Sequence, residues 1–426
     1  MVNIFYCIIN IMKNNIKIIH EDLNAGGGSE RLTITMMEAL NEMGFNIDLE
    51  TITMPDWNQI KKWYGKFSVK IGKIKRIDLS NVIGFSEFAV KDKKEITLEE
   101  EKYSLIINTH GDILPYYNSN NSRKSKTKLI TYCHYPLTPR LIHQGSYKKF
   151  LSKFLQNGSL YPEHYFHLKE KELLYRILST YDLMMRNTII ITNSEFSKQA
   201  IEKAYGKVVL SILSPPVDVQ TYRNVALSNL PRENIIIVIS RYSPDKKIET
   251  AIKIARILHK ILNFKMIIIG NILPENYDYY RYLQALIHMW RLNETVKLQF
   301  NVPLSYVLKL IARSKILLHP TFEEPFGISV AEGMSAGLIP VVPFKGGNTE
   351  FVPKRFHFKT KEDAVKIIIE AMKISVEDRL KLSTFPDIFS VNNFKNNLKK
   401  IIENMLEKEL AISSPQIKNK NIIDRK

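Results

Sequence analysis

Two glutamates eight positions apart, Glu324 and Glu332, bracket the segment Glu324-Pro-Phe-Gly-Ile-Ser-Val-Ala-Glu332. An apolar run before it, Ile316–His319, reads as a strand. Ile328–Ala336 reads as a short helix, stopped by Gly337 ahead of a second strand, Ile339–Pro343. Glu324 then stands in a loop and Glu332 in the helix that follows. Carboxylates so placed can accept hydrogen bonds from two hydroxylated parts of one ligand, while amides at Gly327 and Ile328 meet its phosphates. Two surface glutamates are the competing reading. The crowding of Phe326, Gly327, Gly333, Gly337 and Pro340 into one strand–loop–helix–strand unit weakens it.

Four other segments could contribute chemistry. Asn24-Ala-Gly-Gly-Gly-Ser-Glu-Arg31 follows a strand and opens a helix that ends at Gly44. Its glycines allow close backbone approach and the helix start offers free amides, although a plain tight turn fits equally. In Tyr132-Cys-His-Tyr-Pro136, His134 ends a strand and can donate a hydrogen bond to a sugar hydroxyl; alone it reads more readily as structural. Ile239-Ser-Arg-Tyr-Ser-Pro-Asp-Lys-Lys247 places Arg241 with Lys246 or Lys247 at a loop-to-helix junction, where a cation pair can neutralise a diphosphate leaving group. A solvated basic loop is the alternative. Gly346-Gly-Asn-Thr-Glu350 offers another close-approach loop with a carboxylate, or an ordinary turn.

Strand-like runs alternating with helical patterns must position these residues, which points to an α/β fold with parallel sheets. The strands read Ile16–His20, Phe45–Thr51, Ser104–Asn108, Lys128–Tyr132 and Thr188–Thr192, then Asn234–Ser240, Lys265–Gly270, Val296–Phe300, Ile316–His319 and Ile339–Pro343. A length of 426 residues argues for two domains. The Pro215-Pro216 pair and the polar stretch to Glu233 place the linker, giving an amino-terminal domain over 1–225 and a second over 226–390. A helix over 391–410 that packs back toward the amino-terminal domain and a polar, disordered tail over 411–426 would follow.

Lys and Arg number 61 against 43 Asp and Glu, a formal charge of +18 that asks for an anionic partner. Cys7 and Cys133 make neither a disulfide framework nor a zinc pattern. Residues 1–12 lack the features of a signal peptide and are too short to span a bilayer; translation could equally begin at Met12. No transmembrane segment is expected.

Taken in order, these sites resemble the retaining glycosyltransferases of family 4. The segment Glu324–Glu332 matches that family's E-x7-E donor motif, and Arg241 with Lys246 its arginine–lysine pair. The resemblance runs from Ile16 to about Leu410. It implies the GT-B fold, two Rossmann-like doubly wound domains facing across a cleft. Asn24–Arg31, His134-Tyr-Pro136, Asn193-Ser-Glu-Phe-Ser-Lys198 and Pro215–Tyr222 look like the α-1,2-mannosyltransferase branch, which extends the dolichyl-diphosphate-linked oligosaccharide with GDP-mannose. An amino-terminal membrane anchor of that branch is not expected here, and Glu323-Glu-Pro-Phe-Gly327 follows the general family pattern more closely.

The resemblance implies a role for each residue. Arg241 and Lys246 hold the donor diphosphate and stabilise the departing nucleotide. Glu324 binds sugar hydroxyls and Glu332 the ribose. Phe326, Gly327 and Ile328 bring backbone amides to the donor. His134 contacts the sugar, and Gly27 and Gly28 let the first domain close over the diphosphate. No metal or resident cofactor is implied, and the acceptor hydroxyl attacks on the leaving-group face.

The implied partners are a nucleotide sugar and a lipid-linked oligosaccharide, with cytoplasmic, peripheral placement on the cytosolic face of an anionic membrane. Gly145-Ser-Tyr-Lys-Lys-Phe-Leu-Ser-Lys-Phe-Leu155 and Trp57-Asn-Gln-Ile-Lys-Lys-Trp-Tyr-Gly-Lys66 interleave basic and apolar residues as interfacial helices do, or as packed amphipathic helices do. A UDP-sugar donor with another acceptor remains the alternative. Nucleic-acid binding is less favoured, because the basic residues are dispersed and no recognised module is present.

Overall fold

The structure, a computed structural model, describes residues 14–77, 103–112, 127–136, 185, 188–228 and 231–413, with the side chains of 275 and 406–413 excepted. The segment Gly145–Leu155, residues 1–12 and the stretch beyond 413 lie outside the described residues.

The first domain begins with β1 (Asn15–Ile19), α1 (Gly28–Glu42), β2 (Asn46–Thr51), α2 (Trp57–Tyr64) and β3 (Ile71–Arg76). Then come β4 (Leu105–Asn108), β5 (Lys128–Cys133), β6 (Ile189–Thr192), α3 (Glu195–Tyr205) and β7 (Ser211–Ile212). All strands run parallel in the order β3-β2-β1-β4-β5-β6-β7. The second domain holds α4 (Val219–Leu227), β8 (Ile235–Ile239), α5 (Ile248–Leu258), β9 (Lys265–Gly270), α6 (Tyr277–Met289), β10 (Val296–Phe300) and α7 (Leu304–Arg313). It continues with β11 (Ile316–Leu318), α8 (Ile328–Ser335), β12 (Ile339–Pro343), β13 (His357–Phe358), α9 (Lys361–Ala371) and α10 (Val376–Ser383). Its parallel order is β10-β9-β8-β11-β12-β13. The last described element is α11 (Val391–Ser413).

Local composition explains these elements. β8 reads Ile-Ile-Ile-Val-Ile, β-branched throughout, the pattern of a strand covered on both faces. On α5, Ile248, Ala251, Ile252, Ala255 and Leu258 form a buried stripe at helical spacing. In both sheets the order reverses beside the first strand, between β1 and β4 and between β8 and β11. Such switch points open a crevice at the strands' carboxyl ends.

The domain limits differ from those read in the sequence. Leu213 packs in the first core, but Val217 and Tyr222 pack in the second. The chain therefore crosses at Pro215-Pro216, and α4 belongs to the second domain, ahead of the 225/226 division. α11 returns to the first domain, where Phe394, Leu398, Ile402 and Met405 enter its core beside α1. The strands not read in the sequence, β3, β7 and β13, are sheet edges. β3 is half exposed and lysine-rich, as edge strands tend to be, and the other two have two residues each. Among the described residues no helix is long and apolar enough to cross a membrane.

Candidate active site

The second-domain half of the site grows from the ends of β8 and β11. A 3-10 turn, Pro244–Lys246, carries Lys246 toward the loop after β11, and the Thr321 hydroxyl donates to the Lys246 carbonyl at 3.0 Å. There the Lys246 ammonium donates to Glu324 Oε2 at 2.9 Å, and His319 Nε2 lies 3.4 Å from the same oxygen. Burial pushes the Glu324 carboxyl up, but Lys246 and His319 outweigh it and hold it well below the usual carboxylate range. Arg241 is exposed, with no ion pair or side-chain hydrogen bond among the described residues, so its guanidinium is available to an anion. Lys247 takes a left-handed φ of 52° and is exposed; the lysine that reaches the site is Lys246.

Gly327, with φ 95°, caps α8, whose start has no side-chain cap. Phe326 does not line the opening. Its ring is 5% exposed and packs against Phe351 and Phe389 at centroid distances of 5.4 and 4.9 Å, which fixes the loop from beneath. Glu332, one turn into α8, is already engaged. Arg31 of the first domain ion-pairs with it, and Tyr222 is close enough that the carboxylate helps to push its hydroxyl pKa up, after burial. The loop after β12 lies alongside, with Gly347 N–H donating to the Glu324 carbonyl at 2.7 Å.

The first-domain half is built on the glycine loop. Glu30 Oε2 accepts from the Gly27 amide at 2.7 Å and its Oε1 accepts from Ser29. Burial opposes ionisation of Glu30, yet His20 and Ser29 bring its pKa down to about 2. Gly28 faces the other domain: a Cβ there would stand 2.6 Å from Ile328 Cδ1. His134 stands at the end of β5, with Nε2 at 3.0 Å from the Thr109 carbonyl. A carbonyl only accepts, so Nε2 carries the proton. Nδ1, with no protein partner among the described residues, is then an acceptor, and a sugar hydroxyl would donate to the ring rather than receive from it. Burial lowers the His134 pKa to about 4.

A third set of contacts joins the halves. Ser194 Oγ donates to the Pro325 carbonyl at 2.6 Å, while Asn193 Nδ2 and Ser197 Oγ donate to the His134 carbonyl at 2.9 and 3.0 Å. Glu350 accepts from the amides of Glu195 and Phe196 at 3.1 and 2.8 Å, so this carboxylate caps α3 across the domains instead of facing a ligand. The helix Trp57–Tyr64 is packed: Ile60 is fully buried, Trp63 lies on Gly26 and the Tyr64 hydroxyl donates to the Gly27 carbonyl.

The structure thus joins Lys246 to Glu324 within the second domain and brings the glycine loop of the first domain against α8, through Arg31 on Glu332 and Gly28 beside Ile328. Sequence reasoning did not single out Arg31, His319, Ser194 or Asn348. Asn348 is fully buried beside Gly327, with both amide atoms unpartnered among the described residues, a costly state that a polar ligand would relieve. Its place in the Gly346–Glu350 segment was the available signal.

Residues 223–385 match the family described as Glycosyl transferases group 1. Curated relatives named GDP-Man:Man(3)GlcNAc(2)-PP-Dol alpha-1,2-mannosyltransferase include one from Dictyostelium discoideum. It is 25% identical over 269 residues, which cover 58% of this chain and 52% of that protein. The Homo sapiens protein is 25% identical over 193 residues, covering 40% of this chain and 38% of that protein. The chain thus spans about half the length, or less, of these relatives. Anabaena Alr3699/HepE, solved in complex with UDP and glucose, superposes with a TM-score of 0.64 at 16% identity, covering 92% of this chain and 99% of that one. WaaG, a glycosyltransferase involved in lipopolysaccharide biosynthesis, gives 0.57 at 13% identity over 91% of this chain and 98% of that one. At such identities the likeness is one of fold, the GT-B architecture.

Proposed function

Since the chain carries a group 1 glycosyl transferase domain on a GT-B fold, we propose that it is a retaining hexosyltransferase. It moves a hexose, mannose by preference, from a nucleotide sugar to a polyprenyl-diphosphate-linked oligosaccharide. The observation that carries this reading is the Lys246–Glu324 contact between the loops after β8 and β11, the two strands at the switch point. The names of the curated relatives support the choice of GDP-mannose and of a dolichyl-linked acceptor.

In this reading Glu324 and His134 Nδ1 accept hydrogen bonds from hydroxyls of the donor sugar, and Asn348 supplies a further polar contact. Lys246, Arg241 and the first amides of α8 face the diphosphate, and Glu332 takes the ribose. The acceptor hydroxyl attacks the anomeric carbon on the face the diphosphate leaves. The sugar–phosphate C–O bond breaks with its electron pair going to the nucleotide, and the acceptor's proton passes to the departing phosphate oxygen. Charge develops on that oxygen in the transition state, where preorganised cations act most strongly. The enzyme works peripherally at the cytosolic face of an anionic membrane.

A donor screen tests this: GDP-mannose and UDP-sugars with a polyprenyl-diphosphate oligosaccharide, in wild type, Lys246→Ala and Glu324→Ala. Transfer from GDP-mannose that both substitutions abolish is the expected result. Full activity in both variants overturns the site assignment, and transfer from UDP-sugars alone overturns the donor.

A further inference from the structure

Arg31 stands in the first turn of α1, directly after the glycine loop, and its guanidinium crosses to the second domain to pair with Glu332. It lies 5.6 Å from the centre of the Tyr64 ring and is 21% exposed, against 10% for Glu332. Burial alone would lower the Arg31 pKa; the Glu332 carboxylate reverses this and raises it. The carboxylate assigned to the ribose is therefore already held by a cation of this chain, with the Tyr222 hydroxyl alongside.

A ribose cannot use Glu332 fully while Arg31 occupies Oε1. Once displaced, the guanidinium is a mostly buried cation without a counter-charge, an unfavourable state. The other nearby carboxylate, Glu30, is committed to Ser29 and the Gly27 amide. The anion that arrives with the ribose is the diphosphate, and it arrives beside the glycine loop from which Arg31 projects. We propose that Arg31 exchanges partners when the donor binds, giving up Glu332 to the ribose hydroxyls and taking the nucleotide diphosphate. It is then the first domain's cation in the donor site, facing Lys246 and Arg241 of the second. This rests on the reading of Glu332 as the ribose ligand.

The exchange makes opposite predictions for two ligands. Removing Arg31 frees Glu332, so a nucleoside should bind tighter; it also deletes an anion contact, so a nucleoside diphosphate should bind weaker. Calorimetry with guanosine and GDP, and with uridine and UDP, on wild type, Arg31→Ala and Arg31→Gln reads this directly. The Gln variant keeps most of the packing on Tyr64 without the charge. The ratio of diphosphate to nucleoside affinity should fall at least about tenfold in both variants, the loss of one charge-assisted contact. An unchanged ratio, with both ligands tighter or both weaker, overturns the exchange and leaves Arg31 a structural tie. Wild type that binds neither diphosphate overturns the glycosyltransferase reading itself, and the exchange with it.

Discussion

The Lys246 ammonium and the Glu324 carboxylate meet at 2.9 Å, where their side chains are only 19% and 14% exposed, although one belongs to the loop after β8 and the other to the loop after β11. The contact fixes both charges side by side at the ends of neighbouring strands. Lys246→Ala should reduce kcat/KM for transfer at least ~100-fold, in the range seen when one preorganised charge contact to a transition state is lost. Steady-state kinetics check this. A drop confined to KM would mean that Lys246 binds the donor without acting on the leaving group.

His134 donates from Nε2 to the Thr109 carbonyl, so its neutral tautomer is set by the backbone. Nitrogen NMR on labelled protein should show the Nε2–H form, with the ring remaining neutral until the pH nears about 4. Titration near 6.5 would remove the buried acceptor from the site.

The same imidazole makes stability depend on pH. A histidine whose folded pKa lies below 6.5 binds fewer protons folded than unfolded as pH falls from 6.5 toward 4. Its contribution is full above 6.5 and is lost as pH falls through the folded value, by up to about 3 kcal/mol. His20, also buried and lowered, adds in the same direction. Glu30, at about 2 against 4.5, keeps its contribution until the pH drops below 4.5. Urea midpoints should therefore fall between about pH 7 and about pH 5, before the carboxylates titrate. An equal midpoint at both values contradicts the assignment.

Gly347 marks where the loop after β12 meets the loop carrying Glu324. A Cβ there would lie 2.0 Å from the Pro325 carbonyl and 2.9 Å from Ser194 Oγ, and a backbone oxygen cannot rotate away. Gly347→Ala should cost about 2 kcal/mol or more and lower the melting temperature by several degrees. Glu350→Ala, which uncaps α3 across the domains, should cost about 1 kcal/mol. Calorimetric scans separate the two, and an unshifted Gly347→Ala transition would show that these loops are not packed together.

Much of this was legible in the chain. β8 and β11 are apolar runs bounded by polar loops, and each site motif follows such a run, so alternation alone placed Arg241, Lys246, Glu324 and Glu332 on one side of a doubly wound sheet. The periodicity of a segment depends only on its own side chains, and these elements are dominated by local apolar pattern. Edge strands such as Ile71–Arg76 escaped because a strand with one exposed edge needs little hydrophobicity.

Tertiary structure decided the rest, because it concerns pairs far apart in sequence. Arg31 and Glu332 are separated by 301 positions, and Ser194 and Pro325 by 131. Nothing local to either partner specifies the other. That Glu350 caps a helix was settled only when the two domains faced each other, while the core place of Phe326 and the Nδ1 acceptor of His134 were settled by tertiary packing within each domain, where each buried polar atom had to find a partner. The sequence determined the kinds of groups and the sheet ends that carry them; the packing of the domains determined which charges neutralise one another and which remain for a ligand.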